Sequence, residues 1–487
     1  MKFLIDTNVL IPLEPTSPEG VERMTEPALE LLRSIEEVQD QLFIHPAMAV
    51  DIGRDPRDDR RRLRELLFRK YLLLPHPPPV PADWEALLGC PSIGSNDWVD
   101  HQLLAAVRGN SVNILVTEDR GIHKKAERVG LKHQVATIGD ALVLLRGLRD
   151  KVTLPPPAVE FTYAHNVDVG DPFFDSLKVD YPGFDVWLRG CQEQHRRCWV
   201  VRSEGQRLAA ICLVKDEEGM FGIQDLFLKI CTFKVDPAHQ GRRLGELLLK
   251  SVLEYAARNR KAFIYLTAFE KQGALLAMLD DFGFFEHSRI KAGELVLMKR
   301  LRPDSDQHEL PDLDFHIRYG PPALRFTEPA FIIPIEPRYH NLLFPDADRQ
   351  LALQAGVHPF GNAIRKAYLC RAPIRQIRSG SPLLFYRSQS SQGLTVVGVA
   401  EKILRSSDPE QLASEVGKRT VYSMRTIREF CLKSEVLAIM FRQAMILEPE
   451  PISMEELRRN GVLRAAPQSI VTVPGSGYEW LRRRLGL

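Results

Sequence analysis

"FKVDPAHQGRRLGELLLKSVLEYA", residues 233–256, changes character halfway. Its first residues alternate as a strand does. Its last thirteen carry apolar residues at helical spacing, Leu244, Leu247, Leu248, Val252 and Ala256. Between them lies a turn rich in Gly, Gln and Arg, with Gly241 and Gly245 flanking the helix start. A strand that feeds a helix through such a turn leaves free amides at the helix N-terminus, a ready site for an anion.

The surroundings extend this reading. Upstream, "CWVVRSEGQRLAAICLVKDEE" alternates as a hairpin. Downstream come a strand, "FIYLTAF", and a helix, "QGALLAMLDDFG". This is a mixed α/β unit with an antiparallel start. It resembles the GNAT acetyltransferase family over about residues 195–300. That family holds the pyrophosphate of acetyl-CoA on an Arg/Gln-x-x-Gly-x-Gly/Ala loop. The resemblance places Val235, Gln240, Gly241, Arg242, Arg243, Leu244 and Gly245 at the acetyl-CoA site. Gln240 and Gly245 match the loop, whereas Arg243 stands where the family prefers Gly. The family's tyrosine acid, four residues before Gly283, is replaced by Leu279. Asp225, Glu270, Tyr265 and His239 are the remaining candidate proton carriers.

Pro-rich stretches flank this unit, "LPPPAVEF" (154–161) and "LRPDSDQHELPDLD" (301–314). Both read as linkers. With 487 residues the chain exceeds what one core organises. Three domains are expected, at 1–150, 160–302 and 311–487. Hydrophobic content of 44% and charged content of 26% are those of a globular protein. Seven scattered Cys, no CxxC pair, no signal-peptide pattern and no apolar run of membrane-spanning length point to a cytoplasmic protein without membrane association.

The first unit opens "MKFLIDTNVLIPLE" (1–14). Strand-like runs ("KFLID", "LFIHP", "NILVTED") alternate with helical ones, so a parallel sheet is expected. Ligands bind beyond the carboxyl ends of such strands. Asp6 and Asp119 stand at two of those ends. Asp97 and Asp100 share a helix face, and Asp51 follows "FIHPAMAV". Each carboxylate taken alone also reads as a cap or a solvated charge. Their convergence would require neutralisation, and oxygen ligands of this kind suit Mg²⁺ or Mn²⁺. The order "FLIDTNVLI", "HPAMAVDI", "SNDWVDHQLLAAV", "ILVTEDRGIHKKA" resembles the PIN-domain family over about residues 1–145. Its members are largely metal-dependent ribonucleases, many of them toxins. The resemblance implies catalysis by Asp6, Asp100, Asp119 and Asp97. It implies metal binding by these four and Asp51, which stands where the family carries Glu.

Residues 311–487 carry 24 Lys and Arg against 17 Asp and Glu, a balance of +7 that leaves −5 for the rest of a chain of net charge +2. Strand signals dominate there ("PLLFYRS", "LTVVGVAEKIL", "VLAIMFRQAMIL", "SIVTV") and suggest a small β-barrel. Over about residues 365–475 it resembles the PUA-like barrels of the ASCH and EVE group, which bind RNA or modified bases. Arg378, Tyr386, Arg387, Arg419 and Tyr422 would then supply phosphate contacts and stacking.

The whole is expected to be a multidomain α/β protein whose leading activity is metal-dependent endoribonuclease action, toxin-like or stress-related. RNA, an antitoxin protein and a second copy of the chain are the partners these resemblances imply. The alternatives are an N-acetyltransferase acting on RNA, an aminoacyl group or a protein, and a non-catalytic RNA-binding regulator.

Overall fold

The computed structural model describes residues 1–16, 24–38, 40–148, 159–203, 207–236, 239, 243–290, 293–303, 309–347, 361, 363–389, 392–447 and 450–487. Residues 154–158 and 304–308 of the expected linkers lie outside these. The chain forms two compact units.

The first unit comprises Met1–Asp150, Ser406–Lys418 and Tyr422–Lys433. Its sheet joins β1 (Lys2–Ile5), β2 (Gln41–Ile44), β3 (Leu72–Leu73), β4 (Ile114–Val116) and β5 (Val135–Ala136) in the order β3-β2-β1-β4-β5. Every pairing is parallel, with Leu4 opposite both Phe43 and Leu115. Phe3, Leu4, Ile5, Ile114, Leu115 and Val116 are all fully buried. A strand apolar on both faces needs helices on both faces, which is why these runs form a parallel sheet. The sequence order of alternating elements anticipates it.

Two further helices complete this unit, Pro409–Val416 and Met424–Cys431. Lys418 Nζ donates to the Val135 carbonyl at 3.0 Å, and the Met424 amide donates to the Leu148 carbonyl at 3.0 Å. Gly417 lies so near Leu144 that a Cβ there would fall 2.0 Å from its Cδ1. Reading 311–487 as one domain does not foresee this.

The second unit comprises Lys151–Arg405, Arg419–Val421 and Ser434–Leu487. Its first sheet joins β6 (Val159–Tyr163), β7 (Arg197–Arg202), β8 (Leu208–Glu218), β9 (Leu226–Val235), β10 (Phe263–Ala268), β11 (Phe285–Arg289) and β12 (Leu295–Arg300). The order is β11-β12-β10-β9-β8-β7-β6, antiparallel except where β9 meets β10. Alternate residues serve alternate faces. Cys212, Val214, Leu228, Ile230, Ile264 and Leu266 pack with the helix Leu244–Arg258. Cys198, Val200, Ile211 and Leu213 pack with the helix Phe184–Glu193.

The other sheet joins β13 (Phe331–Ile335), β14 (Arg365–Cys370), β15 (Pro382–Arg387), β16 (Gly393–Ser406), β17 (Val436–Ile446) and β19 (Val471–Thr472), with β18 (Ile452–Ser453) beside β16. Its path runs β14-β17-β16-β15-β13-β19. Among the described residues its end strands, β14 and β19, are not paired with each other, and the sheet is mixed, β13 running parallel to β15. No described helix is long and apolar enough to cross a membrane.

Candidate functional site

The parallel ladder between β9 and β10 is short. It runs from Phe227 opposite Phe263 to Ile230 opposite Leu266. β9 then continues to Val235, paired with β8 alone. The β8–β9 register shifts at this point, so that Leu213 faces Thr232, Val214 faces Ile230, and Cys231 is the extra residue. Such a bulge bends its strand. The bulge coincides with the end of the ladder, beyond which β9 and β10 are not paired among the described residues. Edge groups of Cys231–Val235 on that side lack a ladder partner and can receive an extended chain.

At the end of β9 the chain enters the helix Leu244–Arg258, whose first amides face outward as donors. Arg243 precedes it in the left-handed region, at φ +55°. Leu244 is core, so its amide rather than its side chain is available to a ligand. Gly245 permits close packing, because a Cβ there would meet Met278 Sδ at 3.1 Å. Val235 closes the strand opposite Ala210. Gln240, Gly241 and Arg242 lie outside the described residues. The Arg243 guanidinium donates to Glu246 Oε1 at 2.8 Å, and Glu246 Oε2 accepts the Ile364 amide at 3.1 Å.

Beyond the end of β10 lie polar groups that sequence spacing did not single out. Glu294 stands immediately before β12, whose Leu295 pairs with Ala268, the last residue of β10. It is nine-tenths buried. Its Oε1 accepts from the Tyr181 hydroxyl at 3.1 Å. The Tyr181 ring lies 5.5 Å from that of Phe269 and packs on the same apolar cluster as Cys231. Burial, then the Glu294 charge, push the Tyr181 phenol well above its ordinary range. Burial pushes the Cys231 thiol up to about 11, so it is no thiolate nucleophile at neutral pH. Lys234 Nζ donates to the Phe173 carbonyl and to Ser176 Oγ.

Of the sequence candidates for proton transfer, Tyr265 bonds to Glu217 and sits in an aromatic cluster with Phe221 and Phe227. Asp225 pairs with Arg302 at 3.4 Å, Glu270 with Arg289 at 2.7 Å, and His239 faces Asp236 at 3.9 Å. Leu279 is core. Nothing in the sequence joins Tyr181 to Glu294, 113 residues later; only the fold does.

In the first unit the carboxylates do reach one sheet edge. Asp6 feels the charges of Asp100 and Asp51, and Asp100 that of Asp119. Each is answered from within the protein. Asp6 accepts from the Thr7 amide at 2.6 Å, Asn8 Nδ2 at 2.6 Å and Thr117 Oγ1 at 2.8 Å. Asp51 accepts from Thr7 Oγ1 at 3.2 Å and pairs with Arg54 at 3.0 Å. Lys125 bridges Asp97 and Asp100 at 2.5 and 2.6 Å. Asp119 caps the helix Arg120–Arg128 by accepting from the Gly121 amide. Burial, with the two neighbouring charges, pushes Asp6 up to about 6. Burial also raises Asp51 and Asp100, while the Lys125 hydrogen bond lowers Asp97. No group of three or more Asp, Glu, His or Cys able to hold a metal occurs among the described residues. The expected Mg²⁺ or Mn²⁺ centre thus finds no support in these residues. Lys125 supplies a positive charge to two of the converging carboxylates.

Among the expected RNA-reading residues, the two tyrosines are corrected. Tyr386 and Tyr422 are buried at 0% and 2% exposure, so their rings are not stacking platforms. Tyr386 belongs to the core beside Leu384 and Val397. Arg387 is buried, and Arg378 alone of the five is exposed. Arg419 lies 3.1 Å from Glu401, which also meets Arg365 at 2.6 Å and Arg442 at 3.4 Å. Burial opposes the Glu401 charge, but the three guanidiniums outweigh it and hold its carboxyl well below the usual range.

Residues 165–284 match the acetyltransferase (GNAT) family. No curated protein matches. Among solved structures, the chain is similar to ASCH from Zymomonas mobilis at 14% identity, over 32% of this chain and 96% of that one, with a TM-score of 0.26. It is similar to a Salmonella typhimurium protein provisionally named an acetyltransferase, with its cofactor acetyl-CoA, at 17% identity over 32% and 98%, TM-score 0.24. It is similar to the NatC complex bound to Gag peptide and CoA, at 14% identity over 30% and 99%, TM-score 0.23.

Proposed function

We propose that the protein is an acetyl-CoA-dependent N-acyltransferase whose centre is the cleft between β9 and β10. The family match over residues 165–284 carries this reading. Its local support is the bulge at Cys231, which coincides with the end of the β9–β10 ladder just ahead of an amide-rich helix start. The described residues suit the ligand. Unpaired strand edge can receive the extended pantetheine chain, and the amides at Leu244 and Gly245 can receive phosphate oxygens. The bound thioester supplies an activated acyl carbon, and the chain supplies orientation and a place for the acceptor.

The earlier leading expectation, a metal-dependent endoribonuclease, is not proposed, because Lys125 already answers Asp97 and Asp100. Calorimetry of acetyl-CoA with the full chain tests the acyl-transfer reading. Saturable binding is expected, weakened about tenfold or more by Gly245→Glu, which sets a carboxylate at the phosphate-facing helix start. Absence of binding by the unaltered chain would refute it.

A further inference from the structure

We infer that Glu294, held by Tyr181, receives a primary amine at the wide end of the cleft and takes its proton. The inference rests on the acyl-transfer reading. Leu295 packs on the face covered by the helix Leu244–Arg258. Glu294, its neighbour, turns to the other face, as Val296 does. Tyr181 approaches from that face, its ring against Phe269, the residue that follows β10.

The charge pattern picks out Glu294. Nearby Asp180 is matched by Lys271 at 2.7 Å, and Glu270 by Arg289 at 2.7 Å. Glu294 has no ion-pair partner among the described residues, and the Tyr181 hydroxyl binds only its Oε1. A carboxylate nine-tenths buried, with one oxygen fixed by a neutral donor and the other unpartnered among the described residues, is built to take a cation. An alkylammonium group fits that chemistry and is what an acetyl acceptor brings.

The step balances. The ammonium gives one proton to Glu294 Oε2. The freed nitrogen pair forms the C–N bond to the thioester carbonyl carbon, and the C–S bond breaks with its pair on sulfur. The second nitrogen proton passes to sulfur, leaving amide and thiol, and Glu294 returns its proton to solvent. Tyr181 keeps its own proton and holds Oε1 in place.

Two coenzyme A derivatives test this by calorimetry on the full chain. Both carry S–CH₂–CO–NH–; one ends in aminoethyl and the other in propyl. The aminoethyl probe is expected to bind about tenfold more tightly at neutral pH, as one close, desolvated charge pair provides. Glu294→Gln should abolish that preference and leave the propyl probe's affinity unchanged. Tyr181→Phe removes one hydroxyl; it should reduce the preference and serves if Glu294→Gln does not fold. Equal binding of the two probes to the unaltered chain, or an unchanged preference in either variant, overturns the inference. Binding of neither probe instead overturns the acyl-transfer reading beneath it.

Discussion

The carboxylate of Glu246 accepts the amide hydrogen of Ile364 at 3.1 Å. One bond thus ties the helix Leu244–Arg258 to the residue before β14 in the neighbouring sheet. Glu246 also holds Arg243. Ile364 itself belongs to the apolar core under that helix. Glu246→Ala should cost about 2–3 kcal/mol in urea unfolding, because a buried amide and a guanidinium lose their acceptor together. A change within about 0.5 kcal/mol would mean that the bond is dispensable.

Gly283 has φ +74°, and a Cβ there would lie 2.1 Å from the Ile317 carbonyl oxygen. That contact is with backbone and cannot be relieved by a side-chain rotation. Gly283→Ala is therefore expected to cost about 3 kcal/mol or more, read from the denaturation midpoint, far above an ordinary left-handed Gly→Ala change.

Lys125 takes the place that a cation would otherwise fill between Asp97 and Asp100. Millimolar Mn²⁺ is expected to leave the melting temperature of the unaltered protein unchanged. In Lys125→Ala the acids lose their counter-charge, and Mn²⁺ should then raise the melting temperature by a few degrees through ligand linkage. Stabilisation of the unaltered protein by Mn²⁺ would show that the ion displaces the lysine.

Asp6 has a folded-state pKa near 6 against an ordinary 3.8. Between those values the folded state holds more protons than the unfolded one, so stability falls as pH rises from about 4 to 6. The loss approaches about 3 kcal/mol at neutral pH. Asp6→Asn removes this titration. The difference between the variant and the unaltered protein should therefore shift in the variant's favour between pH 4 and pH 7, measured by chemical denaturation at each pH. A difference independent of pH would exclude Asp6 as the source.

What could be read from the sequence follows from local physics. Phe3–Ile5 and Ile114–Val116 are apolar on both faces, which is enough to place β1 and β4 inside a parallel sheet and Asp6 at its edge. The strand, turn and helix of residues 233–256 carry their periodicities openly. Partnership across the fold leaves no such trace. Lys125 lies 25 residues from Asp100 on a different helix, and an exposed lysine there would look the same in sequence. Tyr386 and Tyr422 were read as stacking groups because an aromatic residue among strand residues suits a core and a binding surface equally well. The β9–β10 ladder ends beside a one-residue slip at Cys231, and nothing about a cysteine announces a bulge.

The helices Pro409–Val416 and Met424–Cys431 have a consequence for the order of events on the ribosome. They complete a unit whose sheet is encoded before residue 150, yet they emerge about 280 residues later. At roughly 5–20 residues per second, that sheet waits about a quarter of a minute to a minute for its last two helices. Until then Leu144 lacks its contact at Gly417 and the Leu148 carbonyl lacks the Met424 amide. The nascent chain must therefore tolerate, or be shielded over, this incomplete edge throughout synthesis of residues 151–405.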